Sequence, residues 1–215
     1  MLRKSSLSWL SLQVFLLIPL AGTVHRFYWL STTDDADLAP FEGATLEAPT
    51  VLGLHMISAC LLMAFGAFQM SPQIRQNRPN THRKLGYFAW AAGLSMGLSG
   101  VWLVLGFPMA SGSEIPTQIV RLVFGSVVIW AAMDGLWAAR QKDFFRHRKQ
   151  MMRVYAIGAA ATVNAFLFAL WIAPGNTLTP RAFTVLSALG WSLALIWVEW
   201  RCKTKRPAAS LRRAS

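Results

Sequence analysis

Six long apolar stretches separated by short polar gaps make up most of this sequence. They fall at about residues 7–29, 49–71, 83–107, 117–139, 148–173 and 180–200. Each is close to the ~20 apolar residues that a helix needs to cross the hydrocarbon layer of a bilayer. The pattern predicts an all-α, polytopic membrane helix bundle of six transmembrane helices. Short gaps require neighbouring helices to pack antiparallel, in up-and-down order. The longest gap, residues 30–48, is too short to bury a core of its own. Residues 1–215 therefore read as a single membrane domain.

Charge alternates with the gaps, and this adds a direction. Eighteen of the 21 Lys and Arg residues lie at the N-terminus, in residues 72–84, in residues 140–153 and in the tail 201–215. The intervening gaps hold Asp34, Asp35, Asp37, Glu42, Glu47 and Glu114, six of the nine acids. Lys- and Arg-rich loops stay on the cytoplasmic side. Both termini are accordingly expected in the cytoplasm. A net charge of +12 would direct a soluble protein toward nucleic acid. Here the charges flank membrane spans, so the expected partner is anionic lipid headgroups on the cytoplasmic side, and no nucleic acid. A hydrophobic content of 54% with 14% charged residues lies outside the soluble range.

Aromatic residues support the boundaries. Trp9, Trp137, Trp197 and Trp200 mark inner ends, while Trp29, Trp102 and Trp171 mark outer ends. Amphipathic rings prefer the headgroup level. Trp90, Trp130 and Trp191 lie deeper, to pack inside or face lipid. Gly93, Gly97 and Gly100 form a stripe along which another helix can approach closely. The first stretch ends in Phe27, Tyr28 and Trp29 and is long for a signal core, so it is read as retained, although Pro19-Leu20-Ala21-Gly22 resembles a weak cleavage region. Cys60 and Cys202 fall at opposite faces and cannot form a disulfide.

Candidate chemistry centres on four histidines. His25 and His55 lie toward the outer face, His82 and His147 at the inner boundary. Two histidines at one depth on neighbouring helices could ligate the iron of a b-type haem. Arg83 and Arg148, beside the inner pair, could then hold the propionates. The same histidines adjoin Arg and Lys, and a purely interfacial anchoring role also accounts for them. An outer divalent-metal site from His25, His55 and the acidic loop is a weaker option, since no tight ligand spacing is present. Within the spans, Gln69, Arg121, Asp134 and Asn164 are polar. Intramembrane polar groups tend to face the bundle interior. Arg121 and Asp134 lie near opposite ends and can snorkel, and Asn164 suits an interhelical hydrogen bond. No phosphate loop, nucleophile elbow or zinc-protease motif is present. His82-Arg83-Lys84 and His147-Arg148-Lys149 form a faint repeat. It reads either as a duplicated hairpin or as the ordinary basic flanking of inner helix ends.

His55, Gly66-Ala67-Phe68-Gln69, His82-Arg83 with Gly86-Tyr87, and His147 followed by Met151 or Met152, Arg153 and Tyr155 form a recognisable string. Over about residues 50–168 it resembles a family of bacterial membrane proteins, domain of unknown function 2306. The resemblance implies a multi-pass membrane protein and brings no established activity. It singles out His55, His82 and His147 and leaves out His25. The function expected is a haem-binding or quinone-linked electron carrier using the inner histidines. The alternatives are a small-molecule or proton transporter using Gln69, Asp134 and Asn164, or an accessory subunit without an active site. The last would bind another membrane protein; self-association is also open.

Overall fold

The computed structural model describes residues 20–22, 24–25, 28, 32, 49–106 and 115–203. Among the described residues, five helices are long and apolar enough to cross a membrane: α1 (Pro49–Gln69), α3 (Pro79–Leu105), α4 (Ile115–Arg140), α5 (Phe144–Ile172) and α6 (Pro180–Lys203). A short helix, α2 (Pro72–Asn77), links α1 to α3. The long helices correspond to the second through sixth apolar stretches. The first stretch, and with it a sixth span and any signal cleavage, lies outside the described residues except for a few helical positions. At 1.5 Å per residue the shortest long helix measures ~31 Å and α5 ~43 Å, enough to span hydrocarbon and emerge from it.

Helix starts differ from the hydropathy boundaries, and caps explain why. The third apolar stretch begins at about residue 83, yet Pro79 already opens α3, and only Arg78, at φ −136°, departs from helix. Proline at the first helical position costs nothing, because its missing N–H would have no partner there. Ser71 and Pro72 repeat the arrangement at α2, where the Ser71 hydroxyl accepts from the Ile74 N–H. In α5 the Asp143 carboxylate accepts the Arg146 N–H at 3.0 Å. That cap extends the helix over Phe144-Phe145-Arg146-His147, before the apolar run begins. Hydropathy marks the membrane; caps mark the helix.

The helices run alternately between two ends. One, the basic end, carries Gln69, α2, the α4–α5 turn and the close of α6; the other is called the far end. Helix α5 is central, packing against α1, α3, α4 and α6. Leu62, Met96, Val128, Ala132, Val154 and Ile157 form the common core, with Trp191 and Leu195 of α6 against it. The glycine stripe serves three neighbours instead of one. A Cβ at Gly93 would meet Val154 of α5, one at Gly97 would meet Val128 of α4, and one at Gly100 would meet His55 of α1. The stripe lies on the surface where α3 is enclosed by the other helices. Trp90 is drawn inside, donating from Nε1 to the Ala132 carbonyl at 3.0 Å. Trp102, Trp137, Trp197 and Trp200 stay exposed near the two ends, as belts require.

Candidate functional site

At the basic end α4, α5 and α6 are tied by a charged network. Arg146 pairs with Asp134, donating from Nε at 2.9 Å and also from Nη2. The buried Gln150 amide donates to the same carboxylate and accepts from Arg153 Nη1 at 2.8 Å. Arg153 reaches across to Glu199 of α6, donating from Nε at 2.8 Å. Lys149 completes the pair from 2.7 Å. Arg153 also lies over the Trp130 ring, 5.4 Å from its centroid. Every ionised group here has a partner, which is the condition for keeping charge at membrane depth. Sequence reading missed Glu199. Its signal was available: an acid within the last apolar stretch, flanked by Trp197 and Trp200, at an otherwise basic end.

A different arrangement occupies the junction of α1, α3 and α5. The ring of Tyr155 of α5 packs against Gly66 of α1, where any Cβ would run into it. Met63, Ala67 and Met70 enclose it. One turn nearer the basic end, the Gln69 side chain abuts Gly86 of α3; a Cβ there would meet its Oε1 at 3.3 Å. His82 lies one turn before Gly86, and the imidazole of His147 and the guanidinium of Arg75 are within electrostatic reach of it. Three polar atoms in this junction are buried without a hydrogen-bond partner among the described residues: Gln69 Nε2, His82 Nδ1 and Tyr155 Oη. Buried polar groups are nearly always partnered, so three orphans at one junction call for a ligand or ordered water.

His82 and His147 occupy the fourth position of α3 and α5 respectively. The His147 Nδ1–H donates to the Gly135 carbonyl at 2.8 Å, which places a proton on Nδ1 and leaves Nε2 outside that bond. Arg83 and Arg148 follow them and are exposed. His55 sits near the far end, its Nδ1–H shared between the Met96 carbonyl at 3.0 Å and Ser99 Oγ at 3.2 Å. Ser58 donates to Ser95 at 2.9 Å one turn deeper. His25 is exposed. No three His, Cys, Asp or Glu side chains converge among the described residues; the acids of residues 30–48 needed for an outer metal site lie outside them, Glu47 included. Asn164 is buried but its Oδ1 has no donor and presses on Gly190 of α6. The hydrogen bond expected of it is replaced by close packing, because α5 and α6 cross where Gly190 has no side chain. Arg121 lies near the far end of α4, over the ring of Phe183.

The residues of the motif string thus gather from three helices: Gly66 and Gln69, His82 and Gly86, and Tyr155, with His147 in reach. Residues 52–200 match the family described as "Predicted membrane protein (DUF2306)". The chain belongs to this family. The match runs past the expected limit near residue 168 and takes in most of α6, the helix that carries Glu199. No curated protein and no solved structure matches the chain.

Proposed function

We propose that this is a six-span bacterial inner-membrane protein, with both termini and the basic end cytoplasmic, that binds a membrane-soluble quinone at the α1–α3–α5 junction. The observation that carries the reading is the set of three unpartnered polar atoms on Gln69, His82 and Tyr155. A quinone head presents carbonyl oxygens that accept from an amide N–H, an imidazole N–H or a phenol O–H. Its quinol presents O–H groups, which imidazole and phenol oxygen can accept. The same residues can therefore hold either redox form. His147, within electrostatic reach of His82, is placed to exchange the protons that accompany reduction. Anionic headgroups would surround the exposed arginines at that end.

The experiment is equilibrium binding of decylubiquinone to the protein in lipid nanodiscs, read by tryptophan fluorescence. Saturable binding is expected, weakened about tenfold by Tyr155→Phe, the equivalent of ~1.4 kcal/mol. Binding that never saturates, or that is unchanged in Tyr155→Phe and Gln69→Leu alike, overturns the reading. A second reading, b-type haem on His82 and His147, is favoured by one observation: His147 is held by Nδ1 with Nε2 free, as ligating histidines are. An absorption spectrum of protein from haem-replete cells separates the two, since haem gives a Soret band lost in His147→Ala. Transport by Gln69, Asp134 and Asn164 draws no comparable support, since they lie in three separate places. Asp134 is held by Arg146 and Gln150, Asn164 packs on α6, and Gln69 is at the α1–α3 contact.

A further inference from the structure

Among the described residues, the far end of the bundle holds a second group without a partner, independent of the quinone reading. Arg121 is half-buried, and no carboxylate among the described residues pairs with it. Its guanidinium lies over the Phe183 ring of α6, 5.7 Å from the centroid, and Phe183 in turn stacks on Phe168 of α5 at 5.2 Å. A ring beneath the guanidinium occupies its face and leaves the N–H donors directed outward in the plane. No described residue accepts from them. One turn earlier on α4, the Gln118 Oε1 is buried with no donor. From α1, His55 lies within electrostatic reach of Arg121, its Nδ1–H already given to Met96 and Ser99. A hydrogen bond between Thr117 and Thr184 clamps α4 to α6 beside the cation, so the frame is fixed.

We infer that Arg121 and Gln118 form a site for one anionic oxygen group, a carboxylate or a phosphate. The in-plane fork of Arg121 takes two of its oxygens, as guanidinium does for such planar or tetrahedral anions. A hydroxyl beside the anion would donate to Gln118 Oε1. An arginine in hydrocarbon is costly and marks a functional position when it has no counter-charge. Arg121 is six residues into α4, ~9 Å along the axis, a depth that a lipid phosphate or the end of a soluble anion can reach. The basic end has no such gap around Arg146, Lys149 and Arg153, since Asp134 and Glu199 neutralise them.

The test measures the thermal unfolding midpoint of the whole protein in neutral detergent, with added phosphatidylglycerol, phosphatidylcholine, sodium phosphate or sodium acetate. An anionic lipid can also bind the basic end, so the informative quantity is the response lost in Arg121→Gln and retained in Arg140→Gln. Phosphatidylglycerol is expected to raise the wild-type midpoint by several degrees, with phosphatidylcholine inert and much of the rise gone in Arg121→Gln. A rise produced by phosphate or acetate alone, also gone in Arg121→Gln, assigns the site to a soluble anion. Should Arg121→Gln fail to fold, Arg121→Lys keeps the charge without the fork. Native mass spectrometry should then count fewer retained phosphatidylglycerols than in wild type. An Arg121→Gln protein with the full wild-type response, an Arg121→Lys protein with undiminished lipid retention, or no response to any anion would sink the proposal.

Discussion

The charged network between α4, α5 and α6 and the junction between α1, α3 and α5 share the central helix and the same end of the molecule, yet they treat polar atoms in opposite ways. In the network, Asp134, Arg146, Lys149, Gln150, Arg153 and Glu199 satisfy one another. In the junction, Gln69, His82 and Tyr155 each keep an atom with nothing to bond. Saturated groups hold helices together; the open ones are those that the proposed quinone would use.

The largest effect on this comparison comes from emptying the network. Glu199→Ala strands Arg153 and Lys149, and the unfolding midpoint should fall by the equivalent of ~2 kcal/mol. The figure is kept below that of a dry pair because the Glu199 side chain is 34% exposed. An unchanged midpoint would show that the network is ornamental. Next is Gly66→Ala, whose methyl group must displace the Tyr155 ring. It should cost ~1–2 kcal/mol and weaken decylubiquinone binding at the same time, joining packing to ligand in one measurement. Tyr155→Phe should separate them again. Removing a buried hydroxyl that has no partner leaves stability level or raised by up to ~1 kcal/mol, while affinity falls. A clear loss of stability would mean that Tyr155 is structural after all. Smallest is Ser99→Ala, which removes one of the two acceptors of His55 and leaves the Met96 carbonyl. A drop of ~0.5 kcal/mol in a denaturant series is expected, in line with polar pairs inside membranes.

Much of the fold was legible because the bilayer imposes length and polarity on every span. Five apolar stretches became helices nearly where hydropathy put them. The misplaced starts of α3 and α5 share one cause: proline at the first position and an aspartate cap extend helix into charged sequence, where apolar periodicity is silent. The site was less legible. His82 and His147 were paired by depth alone, and the structure brings them within each other's field. Depth could not foresee that His147 is held by Gly135 while His82 is unheld, since that depends on which carbonyl faces each ring. Nor could it foresee Gln69 against Gly86, or Tyr155 on Gly66, which are contacts between helices far apart in sequence. Glu199 went unremarked because an acid at a basic end looks like noise in a charge count; only its reach to Arg153 gives it meaning.

The central position of α5 has a consequence for biogenesis. Helices α1, α3 and α4 leave the ribosome before it, and α6 follows. Until residues 144–172 are inserted, Tyr155 and Val154 are missing from the faces that Gly66 and Gly93 present to them. Asp134 likewise waits in the membrane without Arg146. A chain arrested at Asp143 should therefore be an early target of membrane quality control, whereas one arrested after Ile172 already carries most of its mutual contacts. The fourth of the five long helices to emerge is the one that turns a set of hairpins into a protein.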